Sequence, residues 1–277
     1  MRLYLYTFLL LVCFVMPVEA QNLPRPDHIV VVFEENKAFA QIIGNPAAPY
    51  INGLSRRGTL FTQSFGITHP SQPNYLALFS GTLQGVSNDA CPLTLSGENL
   101  ASALMEKGLS FVSYADSLPK AGFDGCNYGA YARKHNPVAN WKEQQILTQP
   151  FDAFPKDYRK LPTVAFVIPD LNNDMHDGSI ERGDAWLEKN IEAYAQWAMK
   201  HNSLLIVTWD EDNGTAKNRI ATIWVGPMVK PGESAQLINH YNVLRTIEEM
   251  LGLTYLGDSA KVESITGVWQ KVGRNGQ

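Results

Sequence analysis

The sequence predicts an α/β fold with a mostly parallel central sheet and helices on both faces. Three observations predict it. Strand-like and helix-like runs alternate along the chain. Five short runs, residues 28–33, 110–114, 163–168, 204–209 and 221–225, are apolar and rich in β-branched or aromatic side chains, as in strands covered on both faces. Polar, mostly acidic residues follow four of these runs directly. In open α/β sheets the ligand crevice lies beyond the carboxyl ends of the strands.

Each segment has its own reason. Residues 1–20 carry Arg2, an uncharged apolar stretch over 3–15, and Val18 and Ala20 before Gln21. That pattern predicts a secretory signal peptide cut before Gln21, hence a periplasmic or extracellular protein. The stretch is too short for a comfortable membrane span. Residues 21–277 read as a single domain. A helix is expected to start near Pro73, because proline suits a first helical turn. Ser96 is expected to cap a helix running to Lys107 and closed by Gly108. Residues 117–160 have no clear period and read as a cap-like excursion. Residues 180–201 are amphipathic, with Trp186, Ile191, Tyr194 and Trp197 near helical spacing, and residues 241–251 form a last helix stopped by Gly252.

The 277 residues are 45% hydrophobic and 18% charged, with a net charge of −4, which argues against disorder. No basic stripe or arm points to nucleic acid. Without residues 1–20, Cys91 and Cys126 are the two remaining cysteines, and in an exported protein they are expected to pair.

The strand ends carry the chemistry. Glu34, Glu35 and Asn36 follow the first run; Asp116 follows the second; Asp170, Asp174, His176 and Asp177 follow the third; Asp210, Glu211 and Asp212 follow the fourth. Carboxylates gathered on one rim repel unless a cation binds between them. Oxygen ligands suit Mg²⁺, Ca²⁺ or Mn²⁺, and added imidazoles admit Zn²⁺, Mn²⁺ or Fe. His135, His176 and His240 can reach the rim, whereas His28 and His201 read as structural or solvated. Ser71, pinned by Pro70 and Pro73 at a helix start, is a nucleophile candidate, and Asn74 can donate to a substrate oxygen. Glu34 reads as a solvated strand-end acid, Asp116 as structural, and Asp212 as a supporting loop acid.

These residues resemble a known family. Glu35-Asn36-Lys37-Ala38-Phe39 with Gly44, Ser71-Gln72-Pro73-Asn74, Asp210-Glu211 with Gly214, and Asp170 with His176-Asp177 are similar, in order, to motifs of the bacterial acid phosphatase and phospholipase C family, within the alkaline phosphatase superfamily. The likeness is strongest to small secreted acid phosphatases, some described as phosphatidylinositol 3-phosphatases. It implies an alkaline-phosphatase-like fold and a metal-dependent phosphomonoesterase with one or two divalent ions. Glu35, Asn36, Asp210 and Glu211 would bind metal, and Ser71 would bridge it and attack phosphorus. Asn74 would hold a phosphate oxygen. His135, Asp170, His176, Asp177 and His240 would complete the site, as ligands of a second metal or as phosphate contacts and proton donors. Lys134 and His135 would offset phosphate charge. Expected partners are small phosphate monoesters or phosphoinositide head groups. Lys37-Ala38 and the run 215–218 depart from the longer phospholipases, which favours a compact monoesterase. The rivals are a phosphodiesterase or phospholipase C, a sulfatase, and a non-enzymatic secreted metal-binding protein.

Overall fold

The computed structural model describes residues 23–215 and 217–271. The expected signal peptide lies outside the described residues. In chain order the elements are β1 (His28–Glu34), α1 (Phe39–Ile42), α2 (Pro49–Arg57), β2 (Thr59–Phe65), α3 (Ser71–Ser80), α4 (Leu100–Glu106) and β3 (Phe111–Ala115). Then come β4 (Asn127–Tyr128), β5 (Tyr131–Ala132), β6 (Thr148–Pro150), β7 (Val164–Ile168), α5 (Ile180–Ala198), β8 (Ser203–Trp209), β9 (Arg219–Val225), β10 (Gly232–Asn239) and α6 (His240–Leu251). Eight strands form one sheet in the order β10-β2-β9-β8-β1-β7-β3-β6, and β4 and β5 make a small separate hairpin. β1 runs parallel to both β7 and β8, whereas β9 runs antiparallel to β8 and β2. The sheet is therefore mixed but mostly parallel.

All five expected strands form. β2, β6 and β10 were not expected. β2 reads TLFTQSF and β10 reads GESAQLIN, both with many polar residues. β10 is an edge strand, and its mixed burial leaves no continuous apolar signal. The helix expected from Ser96 instead starts at Leu100, because the Asn99 side chain accepts the Ser102 N–H and the Ser102 hydroxyl accepts the Asn99 N–H. Residues 117–160 form short 3₁₀ turns and two-to-three-residue strands, clamped by a disulfide between Cys91 and Cys126. Among the described residues no helix is long and apolar enough to cross a membrane.

Strand alternation sorts β1 onto two cores. Ile29, Val31 and Phe33 pack with α3, α4 and α6, and Val30 and Val32 pack with α2 and α5. The rings of Phe33, Phe79 and Phe111 meet Phe166 at 5.3, 5.9 and 5.1 Å. Such pairs add about 0.5–1.5 kcal/mol each beyond area burial. This cluster fixes α3 against the strands, and with it the position of Ser71. The far end of α3 stops at Gly81, whose φ of 71° is left-handed and whose added Cβ would lie 1.9 Å from the Leu256 carbonyl oxygen.

Candidate active site

The helix near Pro73 begins two residues earlier, at Ser71, which sits on the first turn of α3 and is 2% exposed. Its Oγ lies 3.0 Å from Glu35 Oε2 and 3.0 Å from Glu211 Oε1. Glu35 follows β1 and Asp210-Glu211 follow β8, its parallel neighbour. The two carboxyl ends thus meet the amino end of α3. The Asp210 N–H donates to the Glu34 carbonyl, which locks the two strand ends together, and the Asn36 N–H donates to Asp210 Oδ1 at 3.2 Å. Asn36 takes the left-handed conformation, φ 51°, that turns the chain back over the rim.

This arrangement concentrates negative charge. Burial raises the Glu35 carboxyl well above its ordinary pKa, and Asp210 and Asp174 raise it further. Burial and then Glu211 raise Asp210, and burial raises Glu211. Ser71 has one proton for two carboxylates. The buried Asp210 Oδ2 has no partner at all. A divalent cation would answer both facts, and oxygen donors such as those of Glu35, Asn36, Ser71, Asp210 and Glu211 suit a hard ion.

A second group faces Glu35 from the excursion. His135 is buried, its Nδ1 is 3.2 Å from Asp174 Oδ2, and its ring stacks on Tyr75 at 5.3 Å. Donation to Asp174 leaves Nε2 as the lone-pair nitrogen. Nε2 comes within 3.1 Å of Glu35 Oε1 without hydrogen-bond alignment. Burial holds the His135 pKa well below that of a free imidazole, and burial pushes Asp174 up to about 8. One donor atom each of Glu35, His135 and His176 lie within 4.8 Å of one another, close enough to share an ion. Lys134 Nζ donates to Asp89 Oδ2 at 2.8 Å and lies 3.4 Å from His176 Nε2. Burial opposes the Lys134 charge, but the hydrogen bond and charge of Asp89 together with the charges of Glu35 and Asp210 outweigh it and raise the pKa. Asp89 Oδ1 also accepts the Gln72 N–H on the first turn of α3.

Several expected roles need correction. Both amide hydrogens of Asn74 donate to the Thr68 and Pro70 carbonyls, and its oxygen accepts from Ile67 and Thr68 N–H. Asn74 therefore builds the loop before Ser71 and has no donor left for phosphate. Asp170 accepts from the Asn172 N–H in its own loop and from the Ser117 hydroxyl in the loop after β3, so it ties the two loops together. Asp177 is an exposed carboxylate 2.7 Å from His176 Nδ1, an orienting partner rather than a member of the cluster. His240 Nε2 donates to the Asp210 carbonyl at 2.6 Å, and burial takes its pKa down to about 4. It supports Asp210 from behind. Glu34 is not solvated: both its oxygens are buried without a partner. Asp116 accepts from the Asn173 amide, and Asp212 accepts from the Thr215 N–H.

Four residues near Ser71 take roles that the sequence reading had not assigned to them. Asp174 orients His135. Tyr75, one helical turn after Ser71, donates to Glu35 Oε1 at 2.6 Å. Asp89 holds Lys134. His69 Nδ1 pairs with Glu211 Oε2, and its Nε2 lies 3.2 Å from the Thr215 carbonyl. The i,i+4 spacing of Ser71 and Tyr75 was the one available signal. Gly66 allows the loop below them to close, since an added Cβ would lie 2.6 Å from Asn218 Nδ2.

The Phosphoesterase family profile matches residues 45–254. A phosphatidylinositol-3-phosphatase of Mycobacterium tuberculosis is 48% identical over 254 residues, covering 90% of this chain and 85% of that protein. An acid phosphatase of Aspergillus fumigatus is 32% identical over 228 residues, covering 74% of this chain but only 51% of that longer protein. Among solved structures, an alkaline phosphatase superfamily protein from Vibrio parahaemolyticus has a TM-score of 0.58 at 12% identity, covering 87% of this chain and 71% of its own. A phosphonate monoester hydrolase from Silicibacter pomeroyi has a TM-score of 0.59 at 10% identity, covering 86% and 76%. At such identities these two structures bear on the fold alone.

Proposed function

The chain belongs to the phosphoesterase family and is by that kinship a phosphoric monoester hydrolase, and we propose that it cleaves phosphate monoesters through a phosphoserine at Ser71. The carrying observation is Ser71 Oγ on the first turn of α3, 3.0 Å from two carboxylates that arrive from neighbouring strands. Glu35, Asn36, Ser71, Asp210 and Glu211 would hold a divalent cation. His135 and His176 sit where, with Glu35, they would hold a second ion or face the phosphate. When bound, the cation supplies the positive charge that favours a serine alkoxide and offsets charge on the phosphoryl oxygens.

The protein's own groups then do the following. Ser71 loses its proton toward Glu211, whose other oxygen is paired with His69. Ser71 Oγ forms a bond to phosphorus while the bond from phosphorus to the alcohol oxygen breaks, and Glu211 passes the proton it took to the departing alcohol. Water then attacks phosphorus and gives a proton to Glu211, the Ser71–phosphorus bond breaks, and that proton returns to the serine. The amino end of α3 favours the developing anion. Lys134, pinned by Asp89, supplies fixed positive charge on the open side.

The Mycobacterium tuberculosis relative supports a phosphoinositide head group as substrate. Residues 1–20 and the Cys91–Cys126 disulfide support export to the periplasm or the extracellular space. The test is acid quenching during turnover of a monoester, followed by peptide mass spectrometry. Phosphate on Ser71 is the expected result, with Ser71→Ala slowing turnover by about 10³-fold or more. Normal turnover in Ser71→Ala overturns the mechanism. A matched monoester and diester of one chromogenic alcohol then separates phosphatase from diesterase.

A further inference from the structure

A second pocket lies in the excursion beside the disulfide. It encloses about 300 Å³ and is lined in part by Pro92, Asp124, Arg133, Asn140, Lys142 and Gln145. None of these residues belongs to the serine site. We propose that this pocket binds an oxyanion, as inorganic phosphate or as a phosphate group of a phosphorylated head group.

The argument starts from Arg133, which is 4% exposed. A guanidinium stays charged in a protein and carries five N–H donors. Four are used: Nε donates to Asn140 Oδ1, Nη1 to the Asp124 carbonyl, and Nη2 to the Leu93 and Ala139 carbonyls. All four acceptors are neutral, and among the described residues no carboxylate forms an ion pair with Arg133. The carbonyl clamp explains the side chain's place in the fold but leaves a buried positive charge that meets the exposed Asp124 carboxylate across the pocket wall without forming an ion pair with it, a costly state. One Nη1 hydrogen also stays free.

Asn140 adds an independent observation. It is 1% exposed, and its oxygen must face Arg133 to accept from Nε. The amide nitrogen is thereby turned away, and it is buried with no partner. Lys142 places an exposed ammonium on the same wall. Asp124 contributes one exposed carboxylate, so Arg133 and Lys142 leave the wall one positive charge in excess. Unused donors from two buried side chains plus a lysine call for a ligand rich in acceptors and negative in charge. Water would satisfy the Asn140 amide but not the charge. Phosphate does both, through charge-assisted hydrogen bonds. The pocket also adjoins the site's supports: Arg133 precedes Lys134 and His135, and its clamp on the Leu93 carbonyl restrains the segment that carries Asp89.

Crystals of the full mature chain soaked with selenate test the site directly. Anomalous density between Arg133, Asn140 and Lys142 is expected; density confined to the surroundings of Ser71 overturns the proposal. Parallel soaks use inorganic phosphate and the soluble inositol bisphosphate head group. Occupancy by phosphate marks a free-anion site, occupancy by the head group alone marks a subsite for a phosphorylated ligand, and occupancy by neither overturns the proposal. In solution, sulfate at constant ionic strength should raise the melting temperature of the wild type. Lys142→Met should weaken that response about tenfold in apparent affinity, the cost of one charge-assisted contact. Asn140→Asp places a carboxylate beside Arg133 and should abolish the pocket's part of the response, with turnover of a small monoester retained. Equal sulfate responses in the wild type and Lys142→Met overturn the proposal even if Asn140→Asp fails to fold.

Discussion

The carboxylates and the nitrogen-bearing groups of the site reach Ser71 by different routes. Glu35, Asp210 and Glu211 stand at the ends of β1 and β8, strands buried on both faces and bonded along their whole length. Lys134 and His135 stand on a 3₁₀ turn in an excursion that has little regular structure. The strands are stiff enough to hold like charges together against their repulsion. The excursion is held by polar clamps instead: the Arg133 bonds, the Lys134–Asp89 pair and the disulfide. The sheet thus holds carboxylates whose repulsion a cation would relieve, while the excursion sets which nitrogen groups stand opposite them.

The sharpest way to break that contrast is at the rim. Asp210→Asn should cut turnover by about 10³-fold, as for loss of a group that stabilises transition-state charge. The same change relieves repulsion at a buried acid, so it should raise the melting temperature of metal-free protein by about 2 °C or more. A variant that is inactive and also less stable would contradict the repulsion account. Chelation should silence the wild type, and a divalent ion should restore it.

Next comes the excursion. Replacing Cys91 and Cys126 by serine opens a link across a sequence separation of 35, which costs about 3–4 kcal/mol on the chain-entropy model. Hydrogen exchange should show the loss concentrated in residues 117–150, with β1 and β8 still protected. Uniform loss across the sheet would mean that the two regions are one cooperative unit.

Glu248 separates burial from repulsion. It lies in α6, accepts from the Leu256 N–H and the Ser259 hydroxyl, and burial raises its pKa to about 7. Because the folded state holds this proton more tightly than the unfolded chain, its contribution is fully present below about pH 4.5. It is lost as pH rises through about 7, and the swing is about 3 kcal/mol. Denaturant titrations from pH 4.5 to 8 should show that slope, and Glu248→Gln should flatten it.

The smallest effect is expected at Asp89. Asp89→Asn keeps an acceptor for the Gln72 N–H but removes the charge that holds Lys134. Turnover should fall about tenfold, the worth of one charge-assisted contact, with a steeper salt dependence of KM. An unchanged profile would show that Lys134 needs no anchor.

The strands of the sheet centre were legible because burial on both faces demands unbroken apolar runs. Edge strand β10 was not, since one open face erases that signal. Glu35, Ser71, Asp210 and Glu211 were legible because strand ends and a proline-pinned helix start have local signatures. The roles of Asp174, Asp89 and His69 were not, because each acts through a partner distant in sequence. Asn74 looked like a phosphate contact because its type fits that task, yet the loop consumes its whole amide.

The layered α/β plan, the acids at the strand ends and the serine at a helix start follow from periodicity and nearest neighbours, which the chain carries locally. Which acid meets which base is a matter of long-range packing: it sets Asp174 behind His135, Asp89 behind Lys134 and His240 behind Asp210, and leaves Arg133 with no ion-pair partner among the described residues. Hydrogen-bond partners are chosen by distances of a few tenths of an ångström between segments far apart in the chain, and no local pattern of residues encodes those distances.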